Sequence, residues 1–209
     1  MGARESRDFK FDKRASSYDE GFEGRASRRF YGLLLREVQL SPGMAVLDVG
    51  CGTGALLRKL SDVDSIEGVG IDVEEQMLSE ARRKCPHMEF ALARCDEMPF
   101  EAQRFDVVIA CMAYHHFDDK AGFAREAARI LKPGGVLYIA DPRFPWLVRK
   151  TLNGVLRLMR MVGEFFTADE IASALGGFGF SLSGCAYDRY AQVVRLRKLP
   201  DAPSEMVES

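Results

Sequence analysis

Residues 46–54, Val-Leu-Asp-Val-Gly-Cys-Gly-Thr-Gly, place one carboxylate and three glycines where an apolar run gives way to a helical one. Glycine lets the backbone turn tightly and lets a ligand approach main-chain atoms. Amides at the start of the following helix favour negative or electron-rich groups. Gly50, Gly52 and Ala55 also satisfy the G-x-G-x-x-A spacing of a dinucleotide loop, so a nicotinamide or flavin oxidoreductase is one open reading. Asp72 ends the next apolar run. An acid there accepts from both ribose hydroxyls of an adenosine ligand; as the residue before EEQML it also suits a helix N-cap, and the two roles could coexist. Asp48 separates the possible ligands, because a carboxylate two residues before the first glycine repels a pyrophosphate and suits a positively charged amino group. Asp96 and Glu97 could accept from the exocyclic amine of adenine while a nearby N–H donates to a ring nitrogen. The plain alternative for Asp96 is a solvated loop acid.

These residues need strand ends to hold them, and the sequence supplies those. Short apolar runs predict strands over 44–50, 65–72, 88–94, 105–111 and 135–141. Helical segments are expected over 53–61, 74–85 and 118–132, the last stopped by Pro133-Gly134-Gly135. Alternation of this kind implies a parallel sheet with helices on both faces, wound in the Rossmann manner. Before it, residues 28–40 carry apolar residues at Phe30, Leu33, Leu34 and Val38, close to helical spacing. After Asp141 the rhythm breaks: 146–166 reads as helical after Pro145, Thr167-x-x-Glu170 matches a capping box opening a helix over 171–180, and 181–198 reads as two strands joined near Asp188.

The composition excludes several classes. A net charge of −2 and a pI near 6.0 lack the basic footprint of a nucleic-acid binder. The charged N-terminus has no apolar signal core, and no transmembrane span is read. Five irregularly spaced cysteines with no CxxC pair imply reduced thiols and neither a disulfide framework nor a metal site. A cytoplasmic location is expected.

The segments VLDVGCGTG, GVGIDVEEQML, ARCDEMPFEAQRFDVVIACMAYHHF and ARILKPGGVLYIAD, in this order between Val46 and Asp141, resemble the class I S-adenosylmethionine-dependent methyltransferases, in particular the type 11 or UbiE-like group. The resemblance implies an α/β, Rossmann-like, seven-stranded and mostly parallel sheet of order 3-2-1-4-5-7-6, whose last strand is antiparallel. It implies S-adenosylmethionine as cofactor, with S-adenosylhomocysteine as product. Gly50, Cys51 and Gly52 would then make backbone contacts to the methionine and ribose part, and Asp48 would serve the amino group. Asp72 would bind ribose, Val73 and Met77 would pack near adenine, and Asp96 and Glu97 would sit by its amine and ring. Ala110 would offer its carbonyl to the amino group. Tyr18 resembles part of a lid over the ligand. The implied organisation is an N-terminal helical lid over 1–40, a cofactor domain over 41–199 with a helical cap insertion at about 142–166, and a flexible tail over 200–209.

The expected reaction is in-line transfer of the cofactor's methyl group to a small-molecule acceptor, mainly by positioning. A non-catalytic module that binds the cofactor is the remaining alternative. His115 and His116 follow the fourth strand, where an acceptor would sit; either could be a general base or could line the pocket. Tyr114 is a lesser candidate base. Cys51 matters here for its backbone and not as a nucleophile. Residues 146–166 mix apolar residues with Arg149, Lys150, Arg157 and Arg160. They fit a lid over an apolar substrate, a membrane surface, a dimer face, or a core helix with its charges in water. Because Asn153 and Gly154 interrupt the pattern, membrane contact is not expected; a monomer or homodimer is.

Overall fold

The computed structural model describes residues 22–62, 65–159, 161 and 163–200. Tyr18, with the first half of the expected lid, and residues 201–209 of the expected tail lie outside the described residues.

Seven strands form one sheet of order β3-β2-β1-β4-β5-β7-β6. They are β1 (Ala45–Val49), β2 (Glu67–Asp72), β3 (Glu89–Leu92), β4 (Phe105–Cys111), β5 (Leu131–Pro142), β6 (Phe180–Asp188) and β7 (Ala191–Lys198). The first five pair in parallel, while β7 runs antiparallel to both β5 and β6. The expected strand order and antiparallel last strand are therefore present. The helices are α1 (Phe22–Glu37), α2 (Ala55–Ser61), α3 (Glu75–Lys84), α4 (Lys120–Ile130), α5 (Trp146–Leu158) and α6 (Ala168–Gly176).

Alternation along the strands divides the core in two. Val46, Val107, Ile109, Tyr138 and Val193 face Leu33 and Leu34 of α1, Leu57 of α2 and Leu78 of α3. Leu47, Val108, Ala110, Ile139 and Val194 face Phe123 and Ala127 of α4 and Ile171 and Leu175 of α6. Burial on both sides is what a near-continuous apolar strand such as Phe105–Cys111 requires.

Several boundaries differ from the sequence expectation, most of all in α5, which stops at Leu158 and does not run to 166. Helix α4 stops at Ile130, and Leu131 already pairs with Phe105 in β5. Pro133 drives the residue before it out of helical geometry, so its effect reaches further back than the Pro-Gly-Gly turn itself. Helix α6 stops at Gly176, and Gly179 at φ 83° turns the chain so that Phe180 opens β6. The capping box forms as the spacing predicts: Glu170 N–H donates to Thr167 Oγ1 at 3.2 Å, and Thr167 N–H donates to Glu170 Oε2 at 2.7 Å.

Candidate active site

The C-terminal ends of β2, β1, β4 and β5 carry Asp72, Asp48, Cys111 and Asp141. Asp48 is 2% exposed, and its Oδ1 is buried with no hydrogen-bond partner. Burial, with Asp72 second, raises its pKa to about 8. An unpaired buried carboxylate oxygen is costly, and a cation placed beside it would remove that cost. Burial also raises Asp72, opposed by its bonds from the Gly52 and Glu74 amides at 2.9 and 3.0 Å. Those bonds make Asp72 a backbone clamp while leaving lone pairs on each oxygen.

The glycine loop is turned inward. Gly50 and Cys51 N–H both donate to Ile71 O, at 2.8 and 3.0 Å, Gly52 N–H donates to Asp72, and Gly54 N–H donates to Cys51 O at 3.0 Å. These four amides are spent on the protein and are not offered to a ligand. What the loop offers a ligand is space: Gly50, Gly52 and Gly54 have φ of 78°, 51° and 73°, and a Cβ built on Gly52 would meet nothing within 4 Å. The Cys51 thiol is pushed well up by burial, then by Asp48 and Asp72, so it stays protonated.

Beyond Asp72 lies a cavity of about 610 Å³ lined by Val73, Leu92, Arg94, Glu97, Met98 and Pro99, with Ala93 between them. Val73 and Leu92 present apolar walls, while Met77 is buried on α3. Glu97 is in this lining and Asp96 is not. Both Asp96 oxygens are held by Arg94, at 2.9 and 3.2 Å, and Asp96 Cβ lies against the first turn of α4 beside Gly122. Arg94 and Leu92, which sequence reasoning passed over, therefore belong to this end of the cleft.

At the other end, β4 leads through Met112, a non-glycine residue at φ 57°, into a single 3-10 turn of Tyr114–His116. Strained backbone of this kind gathers at functional sites. Asp141 Oδ2 accepts from His115 N–H at 2.9 Å, and Asp141 Oδ1 lies 3.0 Å from His115 Nδ1. Both residues are buried, at 5% and 3% exposure. The His115 ring stacks on Phe165 and leans on His116, with centroids 5.2 and 4.0 Å apart. His116 is lowered to about 4 by burial, then by His115 and Lys120, so it is neutral near pH 7. Ala110 is fully buried on β4, one residue before Cys111. Asp141 was visible in the sequence as an acid ending an apolar run, the same signal that singled out Asp72.

The segment after α5 closes this end. Glu164 N–H donates to His115 O at 2.9 Å, and Phe165 exchanges two 3.0 Å bonds with the Asn153 side chain. Gln192 Nε2 donates to Phe166 O at 2.6 Å. Among the described residues, no group of His, Cys, Asp and Glu could hold a metal ion.

Comparison with known proteins bears on this arrangement. The family described as "Methyltransferase domain" matches residues 47–139. Nocamycin O-methyltransferase of Saccharothrix syringae is 33% identical over 208 residues, 90% of this chain and 72% of that protein. The chain belongs to the class I S-adenosylmethionine-dependent methyltransferases. It is also similar to the demethylmenaquinone methyltransferase of Chlorobaculum tepidum, 34% identical over 143 residues, 68% of this chain and 54% of that protein. The chain thus spans about half the length of that relative. The methyltransferase fold is also seen in the Haloferax volcanii complex of the Trm112 methyltransferase activator with its methyltransferase. There the TM-score is 0.79 at 23% identity, covering 93% of this chain and all of that one. For a methyltransferase of this class, the orphaned Asp48 oxygen and the open space over Gly52 fit a cofactor that carries an ammonium group on a flexible chain.

Proposed function

We propose that this chain transfers the methyl group of S-adenosylmethionine to a small, largely apolar acceptor that loses a proton in the reaction. The observation that carries the reading is the buried, unpartnered Asp48 Oδ1 beside the glycine turn. Asp48 would take the ammonium group, helped by the Ala110 carbonyl. Asp72 would hold the ribose hydroxyls with its remaining lone pairs, and the backbone of Gly50, Cys51 and Gly52 would lie along the methionine and ribose part. Val73, Met77 and Glu97 would meet the adenine, with Asp96 setting the wall through Arg94. Residues 142–166 would form the cap; of the expected lid, α1 instead packs Phe30, Leu33 and Leu34 into the core against the sheet. When bound, the cofactor supplies an electrophilic methyl on a sulfonium.

On the acceptor side the residues act on a proton. Asp141 on Nδ1 fixes the His115 tautomer and leaves Nε2 as the ring's acceptor. That nitrogen would take the proton the acceptor loses, while Asp141 stabilises the resulting imidazolium. His116, held neutral by burial, lines the pocket. Phe144 packs edge-on against Phe165 at 5.0 Å, and Phe165 stacks on His115, an aromatic wall that would help shield the reacting groups from water when the acceptor is bound. The names of relatives point to demethylmenaquinone, a quinone, and 2-methyl-6-phytyl-1,4-hydroquinone, both largely apolar ring compounds of the kind this wall suits.

Calorimetric titration with S-adenosylhomocysteine and with NAD, followed by a methyl-transfer assay over phenols and hydroquinones, tests the proposal. The expected result is binding of the first ligand alone, with turnover on an apolar hydroxyl acceptor. NAD binding alone would overturn it. Cofactor binding with no turnover on any acceptor would reduce the chain to a binding module.

A further inference from the structure

Helix α5 carries apolar residues on both sides, unlike an ordinary surface helix whose single apolar stripe faces the core. None of its residues is buried. The side that meets the rest of the protein holds the half-buried Leu152 and Leu156 and is anchored by polar groups: Arg149 reaches Glu170 Oε2 at 2.7 Å and Phe165 O at 3.3 Å, and Asn153 exchanges its pair of bonds with Phe165. The outward side carries Leu147, Val155 and Leu158, 68, 45 and 85% exposed, flanked by exposed Val148 and Met159. Of the four readings the sequence leaves open, the core helix does not fit a helix with no buried residue: Arg149 and Asn153 point inward, and a second set of apolar residues points to solvent.

The rim of that face is cationic and aromatic. Lys150 Nζ lies 5.1 Å from the ring centre of Trp146, itself 61% exposed. The β6–β7 hairpin tip joins it through a 2.7 Å bond from Arg143 N–H to Tyr190 O. There Arg143 stacks over Tyr187 at 4.8 Å and Arg189 over Tyr190 at 5.2 Å. At the same tip Asp188 is ion-paired with Arg29 at 3.2 Å. Arg157 touches Glu164 at 3.5 Å and is still 81% exposed at its side chain. Residues 142–163 hold five Arg and Lys and no Asp or Glu, in a chain whose net charge is −2. An apolar stripe edged by Trp, Tyr, Lys and Arg is the build of an interfacial helix, and its charge is the complement of acidic headgroups.

We propose that the outward face of α5, with the β6–β7 hairpin tip beside it, seats the protein on an anionic lipid bilayer. Asn153 and Gly154, which break the pattern in sequence, do not oppose this: Asn153 belongs to the inward side, where it fastens the helix to the body of the protein. The surface stands apart from the methyl-transfer reading, and its test reads lipid contact and not turnover.

Trp146 is the chain's single tryptophan and lies within the surface. The full chain is mixed with vesicles of phosphatidylcholine alone or with phosphatidylglycerol added. The expected result is a blue shift of Trp146 emission and co-sedimentation with the acidic vesicles, about tenfold or more stronger than with the neutral ones and weakened by salt. Leu147→Asp with Leu158→Asp should abolish binding to both. Lys150→Glu with Arg157→Glu should erase the preference for acidic vesicles. Retained S-adenosylhomocysteine binding would show that each variant is folded. Emission that neither vesicle moves would overturn the proposal. So would a concentration-dependent dimer that Leu158→Asp dissociates without lipid binding in the parent chain, or an emission already blue and unchanging in lipid-free protein.

Discussion

Asp141 holds His115 at two points, accepting from its main-chain N–H at 2.9 Å with one oxygen and lying 3.0 Å from Nδ1 with the other. One carboxylate thus fixes both the turn that carries the histidine and the face its ring presents. The pair joins neighbouring strands, since β4 leads directly into His115 and Asp141 lies at the end of β5.

If His115 removes a proton, His115→Ala should lower kcat by about 10²–10⁴ while leaving S-adenosylhomocysteine affinity near that of the parent. Asp141→Asn should lower kcat in the same direction, because the amide cannot stabilise an imidazolium as a carboxylate does. Steady-state kinetics with a hydroxyl acceptor, alongside calorimetry, reads both. An unchanged kcat in His115→Ala would mean that positioning alone suffices.

Asp48 links cofactor binding to protons. With its pKa raised to about 8 by burial and then by Asp72, it is mostly protonated at pH 7 in the ligand-free protein. A bound ammonium group would favour the carboxylate, so binding should release roughly one proton near pH 7. Calorimetry in buffers of different ionisation enthalpy measures that release, and Asp48→Asn should abolish it.

The same group sets a stability trend. Its folded pKa lies above the unfolded value, so the folded state holds the extra proton between about pH 4 and 8. The stability it contributes is complete below that window and is lost as pH rises through it. Asp72, also raised, acts in the same direction. Thermal melts of the ligand-free chain should fall from pH 5 to pH 8, and Asp48→Asn should flatten the slope.

Gly50 and Gly52 should fail in different ways. A Cβ on Gly50 would lie 2.7 Å from Ala113 Cβ at φ 78°, so Gly50→Ala should unfold more easily, by about 2 kcal/mol or more. A Cβ on Gly52 meets nothing, and its φ of 51° costs a non-glycine residue only about 1–2 kcal/mol. Gly52→Ala should therefore stay folded yet bind S-adenosylhomocysteine at least about tenfold more weakly, because the methyl group enters the ligand's space. Denaturant melts and calorimetry separate the two effects.

Asn153→Ala removes two 3.0 Å bonds to Phe165. The cost should be about 1–2 kcal/mol and should appear as faster amide exchange over 163–167, with little change in global melting. The acceptor KM should rise, since Phe165 is the ring stacked on His115.

Legibility followed range. Strand β4 is read with its observed bounds, because a short apolar run opening after polar residues is a local signal, and the Thr167–Glu170 capping box is equally local. The glycine loop and the acids Asp48 and Asp72 were readable because sequence spacing alone puts them at strand ends. Three things were not. The Asp141–His115 pair joins residues 26 apart, and only the β4–β5 register brings them together. Asp96 read as an open carboxylate, but Arg94, two residues back, occupies both its oxygens, and only folded geometry tells an ion pair from a free acid. In α5 the sequence showed a helix mixing apolar residues with Arg and Lys but not which side turns inward; that choice involves Glu170 and Phe165, the partners of Arg149 and Asn153.

The strand order has a consequence for synthesis. β7 lies between β5 and β6 although it follows both in sequence, and Lys198 at its end reaches back to Leu131 O at 3.0 Å. Until residues 191–198 leave the ribosome, one edge of β5 has no neighbour and its Leu137 and Ile139 lack Leu196 and Val194 beside them. An open apolar edge recruits other strands. The nascent chain therefore carries an adhesive margin from the emergence of β5 until β7 follows it, and chaperone demand should fall abruptly once β7 slots into the gap.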